Sequence, residues 1–163
     1  MTGILIESGR ILIAGEFHEA AVDISGGVIA RLDGPARRRA LRIDATDLLV
    51  LPGIIDLHGD AFERQLMPRA GVDFPADIAL ADSDRQAVAN GITTVFHGTT
   101  WSWEPGLRSA ANAQRLLEAI EAMRPQLAAD TRFHLRHETF NVDGEDTIKQ
   151  WLAEKRIDLL AFN

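Results

Sequence analysis

The feature that most constrains this chain is a change of hydrophobic pattern at Leu48. From there apolar, strand-like runs alternate with helix-like segments. Leu48 to Leu57 is followed by a long polar connection and a helical stretch near Asp82 to Asn90, which Gly91 can end. Ile92 to His97 is followed by Arg108 to Met123, with Leu116, Leu117 and Ile120 on one face and Pro125 beyond. Phe133 to Glu138 precedes Glu145 to Glu154, and Ile157 to Phe162 is a fourth strand. Strand–helix alternation of this kind predicts a parallel sheet covered by helices. A (β/α)8 barrel takes about 250 residues. With 163 residues ending at the close of the fourth strand, the expectation is the first βα units of an incomplete barrel over residues 51–163. A small doubly wound sheet is the alternative, but it leaves the residues before Leu48 unexplained.

Those earlier residues, 1–50, read as short strands: Ile4 to Ile6, Ile11 to Ala14, Ala21 to Ile24, Val28 to Leu32 and Leu41 to Ile43. Gly9, Gly15, Gly26, Gly27 and Gly34-Pro35 punctuate them. Arg37, Arg38 and Arg39 beside the last turn read as a solvated loop without a function.

Composition removes several classes of function. Lys and Arg number 17 against 24 Asp and Glu, a formal charge of −7, which argues against nucleic acid as a partner. There is no cysteine, so a metal would need imidazoles and carboxylates. The first residues lack the unbroken apolar core of a signal peptide, and no run approaches the ~20 apolar residues of a membrane span. The expectation is a cytoplasmic protein with no membrane contact.

Chemistry-bearing side chains gather at the expected carboxyl ends of the strands. In Pro52-Gly-Ile-Ile-Asp56-Leu-His58-Gly-Asp60, alternation puts Asp56, His58 and Asp60 on one side and Ile55 and Leu57 on the other, toward helices. His58 and Asp60 are then candidate ligands of one divalent cation, Zn, Mn or similar, with a structural hydrogen-bonded pair as the alternative. In Phe133-His-Leu-Arg-His-Glu138, His134, Arg136 and Glu138 share the inward parity, making Glu138 a third candidate ligand. His137 has the opposite parity and reads as structural unless the strand bends. His97 reads as a donor behind the site or as a structural residue. His18 reads as surface. Two long loops follow: Arg64 and Arg69 could clamp phosphate oxygens or simply be solvated, and Trp101 and Trp103 could wall a substrate cavity or pack.

At these residues the chain resembles the amidohydrolase superfamily, through Pro52-Gly-Ile-Ile-Asp56-Leu-His58-Gly-Asp60. Within it, His58-Gly-Asp-Ala-Phe-Glu-Arg-Gln65, Met67-Pro-Arg69, Asn90-Gly-Ile-Thr-Thr94, Phe96-His-Gly98, Trp101-Ser-Trp-Glu-Pro-Gly106 and Arg136-His-Glu138 are similar to the family of alpha-D-ribose 1-methylphosphonate 5-triphosphate diphosphatases of bacterial phosphonate utilisation, the C–P lyase pathway. The resemblance implies a metal-dependent barrel preceded by strands of a β-sandwich. It also implies hydrolysis of a phosphorylated sugar phosphonate, a small molecule, to the 5-phosphate and pyrophosphate. Many superfamily members carry HxH where this chain has His58-x-Asp60. They take a catalytic aspartate and further ligands from later strands, so catalytic residues are expected beyond Asn163 and the segment alone is expected to be inactive. Two other readings stay open: an amidohydrolase that cleaves a C–N bond, and a non-catalytic partner or folding unit. A homo-oligomer also stays open.

Overall fold

The computed structural model describes residues 3–34 and 40–163, apart from the side chain of Ser8; Arg37, Arg38 and Arg39 lie outside the described residues. The chain divides into two units, Met1–Pro52 and Gly53–Asn163. In the first, β1 (Ile4–Ile13), β2 (Glu16–Ser25), β3 (Val28–Leu32) and β4 (Leu41–Asp44) lie in the order β3-β2-β1-β4, and β5 (Leu49–Val50) also pairs with β1. Two hairpin turns set this order. Ala14-Gly15 and Gly26-Gly27 all have positive φ, the conformation that matches a two-residue turn to the right-handed twist of the strands it joins. The two expected strands Ile4 to Ile6 and Ile11 to Ala14 are one strand with a shift of register between Ile6 and Gly9. Among the described residues of this unit, Leu5, Ile11, Val22 and Ala45 are the buried apolar ones.

The expected single strand Leu48 to Leu57 is two strands in different sheets. Leu49–Val50 pairs with β1, whereas β6 (Ile54–Gly59) pairs with β7 (Ile92–Trp101). Pro52 lies between them, with no N–H to offer a ladder.

The second unit continues with α1 (Glu63–Leu66), α2 (Ala76–Ala89), β7, α3 (Ala110–Met123), β8 (Asp130–His137), α4 (Glu145–Ala153) and β9 (Leu159–Phe162). Its sheet is parallel throughout, in the order β6-β7-β8-β9. Consecutive parallel strands with a helix in each connection are the local rule of a (β/α)8 barrel. Helix α2 begins at Ala76 rather than near Asp82, directly after Pro75 at its N-cap position, where a fixed φ near −65° favours entry into a helix. It ends where Gly91 adopts φ +78. Helix α3 starts at Ser109, whose hydroxyl accepts the Asn112 N–H at 3.1 Å.

The core lies between this sheet and its helices. Phe133, Leu135 and Trp101 meet Leu116, Leu117 and Ile120 of α3, Leu80 of α2, and Ile148 and Trp151 of α4. Burying each large apolar side chain contributes roughly 1.5–3 kcal/mol. The carboxylate of Asp84 on α2 accepts the Ala128 and Ala129 N–H groups at 2.8–3.1 Å, tying α2 to the start of β8. No helix among the described residues is long and apolar enough to cross a membrane.

Candidate active site

Side-chain parity on β7 and β8 divides the site residues. Phe133 and Leu135 belong to the helix-facing core, so Arg132, His134 and Arg136 point from the other face. On β7, Val95 and His97 line a cleft against α2, which leaves Phe96 and Gly98 on the face shared with His134. The Arg132 guanidinium accordingly lies over the Phe96 ring, 5.6 Å from its centroid.

Strand β6 does not follow simple alternation. Asp56 pairs with Val95 and Gly59 with His97, so Leu57 and His58 oppose the single residue Phe96, a β-bulge. A Cβ at Gly59 would lie 2.7 Å from Val95 Cγ2, so glycine is what this close approach admits. The bulge sends Asp56 toward α2, where it lines the cleft with His97. It sends His58 to the opposite face, where the ring lies 3.5 Å from the position a Cβ on Gly98 would take. The expected common side for Asp56, His58 and Asp60 is therefore corrected. Ile55 and Leu57, expected against helices, are exposed instead.

On that opposite face His58 and His134 meet edge to face with ring centroids 5.2 Å apart. His134 Nδ1 donates to the Leu57 carbonyl at 3.0 Å, since a carbonyl only accepts. This fixes the tautomer and leaves the Nε2 lone pair free; Nε2 is buried and has no hydrogen-bond partner among the described residues. Burial, reinforced by the neighbouring His58 and Arg136 and opposed by the Leu57 carbonyl, holds the His134 imidazolium below its ordinary range. Arg136 stands on the same face, its Cδ 3.7 Å from a Cβ placed on Gly98, and makes no ion pair among the described residues. Neither His134 nor Arg136 stood among the sequence candidates. Their shared parity with Glu138 was the available signal.

The remaining candidates are dispersed. Glu138 lies one residue past β8, and its carboxylate accepts from Arg108 at 3.1 Å and from the Asn163 amide at 3.4 Å. Arg108 also pairs with Glu104. Asp60 is exposed past β6. Its charge, after the larger effect of burial, pushes the nearby Glu63 carboxyl above its ordinary range, against Arg108 and Arg136. His97 is in mid-strand, not at its end. It packs on Phe62 with centroids 4.5 Å apart, and burial lowers its pKa to about 4 although Asp56, Asp84 and the Gly59 backbone oppose this. His137 keeps its helix-facing parity and meets the Phe162 ring. Trp101, expected in a loop, is on β7 and packs on Trp151 with centroids 5.3 Å apart, while Trp103 is exposed. Arg64 and Arg69 are also exposed; Arg64 lines a surface cleft with Arg85, away from the His58–His134 pair.

The expected donor set His58, Asp60 and Glu138 is thus not assembled. His58 and His134 offer two imidazoles, Glu138 is engaged by Arg108, and no group of three or more His, Asp or Glu side chains able to hold a metal ion occurs among the described residues. Two imidazoles are fewer donors than the three or four protein ligands that usually hold a divalent ion.

No family model matches the chain. Over 138 residues it is 28% identical to the alpha-D-ribose 1-methylphosphonate 5-triphosphate diphosphatase of Escherichia coli (strain K12), covering 83% of this chain and 36% of that protein. It is 37% identical over 67 residues to an adenine deaminase of Methanothrix thermoacetophila, 40% of this chain and 12% of that protein. A crystal structure of D-hydantoinase superposes with a TM-score of 0.66 at 24% identity, over 98% of this chain and 32% of that one. The chain spans about a third or less of the length of these relatives. The fold is α/β, a partial (β/α)8 barrel preceded by β-strands. Together the distant sequence similarities support a relationship to the amidohydrolase superfamily.

Proposed function

We propose that the whole protein hydrolyses alpha-D-ribose 1-methylphosphonate 5-triphosphate to the 5-phosphate and pyrophosphate. The observation that carries this reading is Arg136, a guanidinium without an ion pair among the described residues, on the same face as the His58–His134 pair. A polyanionic triphosphate needs such a group, and a planar guanidinium can hold two phosphate oxygens at once. Similarity to the diphosphatase over 83% of the chain supports it as well. In the reaction the α–β anhydride bond breaks, a water oxygen joins phosphorus, and pyrophosphate leaves with the bonding electrons. Burial disfavours protonation of His134, and its unpartnered Nε2 lone pair would accept the proton of that water once substrate binding brings the water within hydrogen-bond reach of this buried atom.

A second reading, hydrolysis of a C–N bond in an amide or cyclic amide, is favoured by the similarity to an adenine deaminase and the likeness to a hydantoinase. Phosphorus NMR on the full-length protein separates the two. Pyrophosphate formed stoichiometrically with the 5-phosphate is expected. Orthophosphate alone, or a higher kcat/KM for release of ammonia or amine from a cyclic amide, overturns the diphosphatase reading.

A further inference from the structure

One peptide group in the β6 bulge is bonded on both of its sides. A bulge disrupts the ladder, so an amide of the bulged strand needs another acceptor. Here that amide is the His58 N–H, which donates to Asp56 Oδ1 at 3.0 Å. The carbonyl of the same peptide, that of Leu57, accepts from His134 Nδ1 at 3.0 Å. No peptide among the described residues is cis, and the N–H and C=O of a planar trans peptide point in opposite directions. Asp56 and His134 therefore hold the Leu57–His58 peptide from its two sides. This agrees with the placement of Asp56 toward α2 and of His134 on the opposite face.

Two further contacts keep these groups in place. Asp56 Oδ2 lies 3.3 Å from the position a Cβ on Gly59 would take, so the carboxylate folds back over the bulge that it bonds. Strand β7 lies between β6 and β8, and its residue in register with His134 is Gly98. With no side chain at this position, the His134 ring reaches across β7 to the Leu57 carbonyl.

Hydrogen bonds in a chain polarise one another, each strengthening the next by about 10–30%, and an ionised acceptor makes the stronger bond. A carboxylate on the His58 N–H thus makes the Leu57 carbonyl a better acceptor for the His134 Nδ1–H. A carboxylate behind a histidine fixes the ring's tautomer and raises its basicity; here one peptide group stands between the two. We propose that Asp56 is a positioning residue of the reaction. Acting through the Leu57–His58 peptide, it holds His134 as the tautomer with hydrogen on Nδ1 and the lone pair on Nε2. This role rests on the reading in which His134 Nε2 takes the proton of the attacking water.

The test compares full-length wild type, Asp56→Ala and Asp56→Asn, isotope-labelled at the histidine ring nitrogens, by NMR and by turnover. The His134 signals are those lost in His134→Gln. Wild type is expected to carry hydrogen on Nδ1 alone. Asp56→Ala should show a mixture with the Nε2–H tautomer and a kcat lower by about 10- to 100-fold, with KM changed by less than about threefold. Asparagine keeps an acceptor oxygen without the charge, so Asp56→Asn should regain the wild-type tautomer and only part of kcat. Wild-type His134 with hydrogen on Nε2 overturns the proposal. So does Asp56→Ala that keeps either the wild-type tautomer or the wild-type kcat. If Asp56→Ala does not fold, Asp56→Asn decides, and a kcat equal to that of wild type overturns the role of the carboxylate. The tautomer is read without substrate, and kcat is measured on whichever substrate, triphosphate or cyclic amide, the wild type turns over. A wild type that releases no pyrophosphate therefore removes the diphosphatase reading and leaves the tautomer comparison intact.

Discussion

The two faces of the β6–β9 sheet are built from the same strands yet obey different rules. On the helix side of β8, Phe133 and Leu135 are fully buried among Leu116, Leu117, Ile120 and Trp151, and even the polar members, His97 and His137, are packed against aromatic rings. On the other face His58, His134 and Arg136 bring together two imidazoles and a cation that has no ion pair among the described residues. Adjacent residues of one strand therefore differ in what they do. The helix side stabilises the unit, and the opposite side holds reactive groups whose partners are incomplete. A histidine is a candidate for chemistry here by virtue of the face it occupies, and its presence near a strand end says less.

The sharpest way to break this contrast is to cut neighbouring residues of β8 and read stability and turnover separately in the full-length protein. Phe133→Ala should cost about 3–5 kcal/mol in urea unfolding, as large-to-small changes in a packed core do. His134→Ala should lower kcat/KM about 100-fold or more, the scale of a lost general base, while losing much less stability. If Phe133→Ala is mild, or His134→Ala mainly unfolds the protein, the division between the faces fails.

Next in size is the pH dependence of His97. Its folded pKa of about 4 lies below the ordinary 6.5, so the unfolded chain binds the extra proton. The stability held above about pH 6.5 is then lost as pH falls toward 4, by an amount of order 3 kcal/mol. Urea midpoints of wild type and His97→Gln should converge over that interval, and a constant gap would place His97 in a wetter environment than the structure gives it. The Asp84 carboxylate offers a smaller test on the helix side. Asp84→Ala leaves the Ala128 and Ala129 N–H groups without their acceptor and should cost about 2 kcal/mol. Hydrogen exchange at those two amides, faster in the variant, would locate the loss. Ser109→Ala removes the cap of α3 and should cost about 1 kcal/mol, read from the same unfolding curves. An effect as large as that of Phe133→Ala would mean that the cap, and not the core, fixes α3.

Much of the second unit is legible in the chain because its signals are local. The apolar face of α3 at Leu116, Leu117 and Ile120, the stop at Gly91 and the alternation of Phe133, Leu135 and His137 all survive into the structure. The candidate site is less legible. His58 lies on the face away from α2, and its ring partner, His134, lies 76 residues later and reaches it through strand pairing by way of β7. Glu138 carries the right parity and is still drawn to Arg108, a competition between side chains 30 residues apart that no spacing rule contains.

By itself the sequence determined the alternation of strands with longer helices after Leu48, the apolar face of α3 and the absence of cysteine ligands, because these depend on residue type and on periods of two or 3.6 residues. Only the tertiary structure decided that Leu48 to Leu57 serves two sheets, that a bulge at Leu57 and His58 parts Asp56 from His58, and that His97 turns toward α2. A strand's register follows from what its neighbour can pack against. Gly59 lies against Val95 where no Cβ fits, and that contact, made by residues 36 positions apart, directs His58 to one face and Asp56 to the other.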